Sequence, residues 1–154
     1  PVQFIDARDA AAWMLLQAER GHTGVFNLNG PDTPLDMGGL LTTAQATLNP
    51  TATLTWVDED FVLAQGVAPW SDLPVWLPQA SAAMHQVDVA RARACGLVCR
   101  PLADTLRDTA TWAADQQAPP AQPGAAAGPA RPAVGLAPER EATLLQAWHG
   151  RGGS

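Results

Sequence analysis

Lysine and tyrosine are absent from this 154-residue sequence, so all nine basic side chains are arginine. Chemistry that pairs a phenol with a side-chain ammonium is therefore beyond these residues. Charge is sparse as well, at 16% of the chain, against ~25% in an average soluble domain. It leans acidic, with 15 carboxylates and a net charge of −6. A nucleic-acid binder carries a basic footprint, and none exists here, so no nucleic-acid partner is expected. No apolar run reaches the ~20 residues of a spanning helix, and no signal-peptide pattern opens the chain. A soluble, cytoplasmic protein with no membrane partner is expected. The 47% hydrophobic content supports one modest core, in a length too short for two ordinary domains.

Cysteine occurs only at Cys95 and Cys99. Two thiolates supply half a zinc site, but no second ligand pair has suitable spacing. Simple burial is the expected role. The acidic cluster Asp58, Glu59, Asp60 is explained by a helix N-terminus without a metal. His22, His85 and His149 are scattered, and no nucleophile, base and orienter assemble around them. Ser71 and Ser81 have no activating neighbour, and no metal or catalytic set is expected.

The chain opens on a strand-like run, Val2 to Ile5, with no Met start and no lead-in, as though it begins inside a fold. Asp6 then caps a helix, with Asp9 at N3, that stops at Gly21. The helix is apolar on most sides, which predicts packing against a sheet and against further protein. Val25 to Asn29 reads as the next strand, and Gly30-Pro31-Asp32 as a turn. Asp36 caps a second helix, with Leu35 and Leu40 placed for a hydrophobic staple, ending near Leu48. Thr53 to Val57 alternates like a strand. Asp58 caps a short helix that Gly66 closes.

Pro69 to Pro78 holds three prolines and two tryptophans, which predicts an ordered loop rather than a helix or central strand. Asp88 caps another short helix ending at Gly96. Pro101 opens the following one, whose stripe is Leu102, Leu106, Ala110 and Ala113, with Trp112 beside it. The organisation expected is a body over 1–115, a Pro/Ala/Gly-rich linker over 116–137, and a terminal helix over 138–150 carrying Leu144, Leu145 and Trp148.

Three segments share an order seen in one family. They are Val2 to Ala11, where an aromatic-aliphatic pair precedes Asp6; Gly24 to Pro31, a strand ending in Asn29 and Gly30; and Asp88 to Leu97 followed by Arg100 to Thr109 and Trp112. Together they resemble the C-terminal part of an extended short-chain dehydrogenase/reductase, the NAD-dependent epimerase/dehydratase family. Trp56-Val57-Asp58, the Gly66 to Pro78 loop and the Gly135 to Glu141 tail are similar to a bacterial, reductase-like subgroup. The resemblance covers most of residues 1–115, and the tail.

The resemblance implies an α/β fold: C-terminal strands and helices of a Rossmann-type sheet, plus a small α+β substrate lobe, with the cofactor-binding half missing. That family uses a glycine-rich nucleotide loop and a Tyr with a Lys four residues on. None of these is present, so no catalytic residue is expected. NAD or NADP would belong to the parent protein, with no cofactor bound by this chain alone. The expected partners are a small, sugar-like or hydroxy/carbonyl substrate and the missing N-terminal dinucleotide-binding domain. The chain then reads as the substrate-binding portion of an NAD(P)-dependent epimerase, dehydratase or reductase. The alternative is a non-catalytic small-molecule or protein-interaction module.

Gln3 and Phe4 are placed by the resemblance near a nucleotide-sugar pocket. Asn27 and Asn29 alternate on the late strand, either at the ligand-binding end of a sheet or satisfying turn backbone. Trp70 and Trp76, braced by proline, suit stacking on a flat ligand or pinning of the loop by burial.

Overall fold

A computed structural model describes residues 1–117 and 135–151. Its regular elements are helices: α1 (Ala7–Glu19), α2 (Met37–Leu48), α3 (Glu59–Ala64), a 3₁₀ turn (Gln79–His85), α4 (Ala90–Ala94), α5 (Leu102–Gln117) and α6 (Pro138–Gly150). Among the described residues helix accounts for 53% and strand for 2%. No sheet forms among the described residues, which overturns the expected α/β, Rossmann-type architecture with an α+β lobe.

The reason lies in pairing. Val2–Ile5, Val25–Asn29 and Thr53–Val57 carry strand-like sequence, but a strand exists only in a ladder with a neighbour ~4.8 Å away. Here Val2 N–H donates to Leu35 O (2.8 Å) and Phe4 N–H to Gly30 O (3.1 Å), without a continuing ladder. The one bridge described joins Pro69 and Leu73. Val2 is nevertheless buried, and Ile5, Phe26 and Leu28 pack on the core.

The helix boundaries follow their local signals. The Asp6 carboxylate accepts from Arg8 N–H (2.9 Å) at the start of α1. The Asp36 carboxylate accepts from Gly39 N–H (2.7 Å) at the start of α2. Three helices end alike. Gly21, Gly66 and Gly96 take positive φ (66°, 68° and 91°). In each case the glycine N–H and the next N–H turn back to carbonyls of the last turn, as His22 to Gln17 and Leu97 to Ala92 do. This is the paired Schellman closure that glycine permits. Two starts differ from expectation: Asp58 precedes α3 without a side-chain cap bond, and Val89, not Asp88, occupies the cap position of α4. The Asp88 carboxylate instead accepts from Ala90 N–H (2.8 Å).

The chain divides into two compact units. The first holds Pro1–Ala52 and Ala80 onward through α5. Its core is Trp13, Ala92 and Leu97, with Ile5, Phe26, Leu28 and Cys95 against it. Trp13 meets Phe26 edge to face (5.0 Å), and its indole N–H donates to Ala92 O (3.2 Å). That bond satisfies a polar group that burial would otherwise penalise. Helix α5 packs on α2, with Leu102, Leu106, Ala110 and Ala113 half-buried and Trp112 exposed.

The second unit comprises Thr53–Gln79 and the described residues 135–151. Within it α6 docks on α3: Trp148 meets Phe61 edge to face (5.2 Å), and Arg151 lies 4.9 Å from the Phe61 ring centre. Arg140 donates to Gly66 O (3.0 Å), closing the C-terminal end of α3. The expected linker lies outside the described residues from 118 to 134, and at its start α5 continues to Gln117.

Candidate functional site

The first unit contains a cavity of about 570 Å³. Three stretches distant in sequence line it: residues 1–3, 30–35 and 85–93. Gln3 joins two of them. Its Oε1 accepts from Val87 N–H (2.8 Å) and its Nε2 donates to Val87 O (3.2 Å), so the side-chain amide pairs with a backbone amide at both ends. Gln3 N–H also donates to His85 Nδ1 (3.2 Å). That bond requires the imidazole tautomer with its proton on Nε2. His85 is buried.

Arg93 supplies a cation to the cavity lining. One of its terminal nitrogens donates to Pro31 O (2.8 Å), which fixes the guanidinium against the 30–35 turn. Thr33 and Gln86 add a hydroxyl and an amide, and Val2, Leu35 and Val89 add apolar wall. A concave lining, mostly apolar with a few placed polar groups, suits a small polar molecule.

Of the residues singled out from sequence, Gln3 lines this cavity, and Asn29 reaches Gln3 Oε1 from its Nδ2 at 3.5 Å. Asn29 Oδ1 also accepts from Gly30 N–H (3.1 Å), the turn-satisfying role. Phe4 follows Gln3, half-buried and outside the lining. Asn27 Nδ2 donates to Asp88 O (3.1 Å). Trp70 and Trp76 belong to the second unit, linked by Trp70 N–H to Trp76 O (3.0 Å).

That tryptophan loop is strained. Trp70 and Val75 adopt φ of 67° and 68°. A left-handed conformation costs a non-glycine residue about 1–3 kcal/mol and is most unusual for a β-branched one. Local bonds hold it: Asp72 N–H to Ala68 O (3.0 Å), Ala68 N–H to the Asp72 carboxylate (2.8 Å) and Trp76 N–H to Leu73 O (3.1 Å). Gly135 N–H adds a bond to Ser71 O (3.0 Å).

A charge cluster that sequence reading took for helix capping lies elsewhere in the first unit. Asp6 accepts from Arg8 and from Thr105, and Asp9 from Arg100. Arg8, donating from side chain and backbone against the opposing effect of burial, holds Asp6 far below the usual carboxylate range. Burial pushes Asp9 up, but two donors from Arg100 outweigh it and its acidity is increased. Burial, then the neighbouring Asp32, pushes the Cys99 thiol up to about 11, so it stays protonated at neutral pH. Among the described residues no three His, Cys, Asp or Glu side chains gather as a metal site. None of the described helices is long and apolar enough to cross a membrane.

Sequence reasoning missed His85, Thr33 and Arg93 as cavity residues. No local signal marks them, because the lining is created only when stretches around residues 1–3, 30–35 and 85–93 meet. Comparisons with protein-family profiles, curated proteins and solved structures find no match to this chain.

Proposed function

We propose that this chain is the substrate-binding portion of an NAD(P)-dependent reductase, epimerase or dehydratase, and that a small hydroxy, carbonyl or sugar-like molecule occupies the Gln3–Arg93 cavity. One observation carries the reading: Gln3, singled out from sequence, lines a 570 Å³ cavity whose other polar groups are His85, Thr33, Gln86, Asp88 and Arg93. The order of the three family-like segments supports it. Hydride transfer is assigned to a dinucleotide-binding partner domain, because this chain has neither the tyrosine nor the lysine of the family's catalytic pair.

A non-catalytic binding module is the second reading. It is favoured by the helical core of the first unit, which buries Trp13 and Leu97 without any sheet among the described residues.

Thermal-shift titrations of the full chain with glucose, a nucleoside-diphosphate sugar and a small aliphatic aldehyde test the cavity. Repeating them with Thr33→Trp, which fills the lining from an exposed position, localises any binding. Stabilisation by one of these probes, lost in Thr33→Trp, is the expected result. No shift with any of them, or an equal shift in the variant, overturns the cavity assignment. Titration with NADH and NADPH is expected to show no saturable binding tighter than about 1 mM.

A further inference from the structure

Among the described residues that line the cavity of the first unit, Arg93 is the cationic side chain and Asp88 the anionic one. His85 accepts at Nδ1 from Gln3 N–H (3.2 Å), so its ring carries a single proton and no charge. The two charged groups are held differently. Asp88 Oδ1 accepts from Ala90 N–H (2.8 Å). Arg93 donates to Pro31 O (2.8 Å), a neutral carbonyl. The ion pairs of the described residues belong to Arg8, Arg100 and Arg107. The Arg93 charge is therefore met by no carboxylate among them, while its position is already set by the bond to the 30–35 turn.

A guanidinium is a planar fork of N–H donors that matches a carboxylate at two points. One bond to a carbonyl leaves most of that fork unspent. Arg93 is also exposed, so a ligand reaches it from solvent. The charge balance selects the kind of anion. With Asp88 in the same lining, the side chains carry no excess positive charge to offset a phosphate dianion, whereas one carboxylate answers one guanidinium. Thr33 and Gln86 bring a hydroxyl and an amide to the same wall, and these groups bond hydroxyls.

We propose that the cavity takes a hydroxy acid, a small molecule with one carboxylate and at least one hydroxyl, and that Arg93 pairs with the carboxylate. This assignment rests on the cavity reading and narrows its occupant from any hydroxy, carbonyl or sugar-like molecule to an acid. Asp88, Thr33 and Gln86 meet the hydroxyls.

The test measures Kd by ¹⁵N NMR titration of the full chain with two matched pairs, glucuronate against glucose and lactate against propane-1,2-diol. Within each pair a carboxylate replaces a CH₂OH group. Inorganic phosphate is titrated alongside, all at one ionic strength. The amide signals of residues 85–90 report the cavity, and Thr33→Trp, which fills it, localises the binding. The acid of at least one pair is expected to bind about tenfold tighter than its neutral partner, the size of one charge-assisted hydrogen bond. Arg93→Gln, which keeps an amide donor for Pro31 O, is expected to abolish that preference and leave the neutral partner's Kd unchanged. A residue that only held the 30–35 turn would weaken both alike. Arg93→Lys is expected to keep part of the preference, because it retains the charge and loses the fork. It carries the comparison if Arg93→Gln does not fold. Neutral partners binding as tightly as the acids, phosphate binding tighter than both acids, or a preference unchanged in the Arg93 variants overturns the hydroxy acid and leaves the cavity reading standing. Binding of none of the probes, or binding that Thr33→Trp does not weaken, overturns the cavity reading and the hydroxy acid with it.

Discussion

Arg100 grips Asp9 with two parts of itself. Its backbone N–H donates to one carboxylate oxygen (2.9 Å) and its guanidinium Nε to the other (2.8 Å), across 91 positions of sequence. Beside it Arg8 bridges Asp6 (2.7 Å) and Asp108 on α5 (2.5 Å), and Thr105 donates to Asp6 (2.9 Å). This network ties α5 to the N-terminal end of α1. It also makes the first unit sensitive to acid.

Both carboxylates are more acidic in the folded chain than their ordinary values. The unfolded chain, with carboxylate pKa near ~3.9, then takes up protons first as pH falls. The stability from this network is fully present above that value and is lost as pH drops below it toward the folded values. Melting temperatures from pH 7 to pH 3 are expected to fall below about pH 4–5. Asp9→Asn is expected to be less stable at pH 7 and to show a shallower fall. An equally steep fall in the variant would place the acid sensitivity elsewhere.

Removing the Arg100 side chain leaves a nearly buried Asp9 carboxylate with one donor. Arg100→Ala is expected to lower the urea midpoint, because the Asp9 carboxylate loses its charged donor. Urea unfolding at neutral pH measures this, and an unchanged midpoint would assign the pair to the weak class of surface ion pairs.

The glycine closures differ in their room for a side chain. A Cβ at Gly96 would sit 3.4 Å from both Leu16 Cδ2 and Arg20 Nη1, whereas nothing lies within 4 Å at Gly21. Both positions are left-handed, so alanine costs about 1–2 kcal/mol at each. Gly96→Ala is expected to be the more destabilising of the two, as measured by denaturant midpoint. The reverse order would show that the crowding is relieved by side-chain movement alone.

Gln3 is held by Val87 at both ends of its amide. Gln3→Glu keeps the acceptor and loses the donor, leaving the Val87 carbonyl unpaired. A destabilisation of about 1–3 kcal/mol is expected, larger at pH 7 than at pH 4, where the acid is partly protonated and regains a donor. Melting curves at the two pH values separate this outcome from a simple loss of packing.

Helix α6 buries no residue fully, and its hold on Phe61 depends on Trp148 and Arg151. Trp148→Ala is expected to release the helix, read as faster amide exchange over residues 138–150 and as ready proteolysis of the tail. Undiminished protection would transfer the docking energy to Arg140.

How much of this was legible depended on the range of the interaction. Asp6 and Asp36 as caps, Gly21, Gly66 and Gly96 as stops, and the half-buried stripe of α5 all follow from neighbours within a turn or two. The tryptophan loop between Pro69 and Pro78 was legible as ordered and non-helical, though its two left-handed residues were not. The missing sheet was the main misreading. Val2–Ile5 and Val25–Asn29 read as strands, and although Val2 is buried and Phe26 and Leu28 pack on the core, neither run pairs in a sheet among the described residues. Alternation does not supply a partner strand. The cavity was illegible apart from Gln3.

The sequence by itself settled composition and local form: an acidic, lysine-free and tyrosine-free chain, where its helices begin and end, and which chemistry it cannot perform. Those properties arise from side-chain inventory and from hydrogen bonds between near neighbours. Only the tertiary structure decided that Asp9 answers Arg100, that Gln3 clasps Val87, and that α6 covers Phe61. Each of these joins residues dozens of positions apart, and such contacts form only once folding has offset the entropy of bringing distant chain segments together.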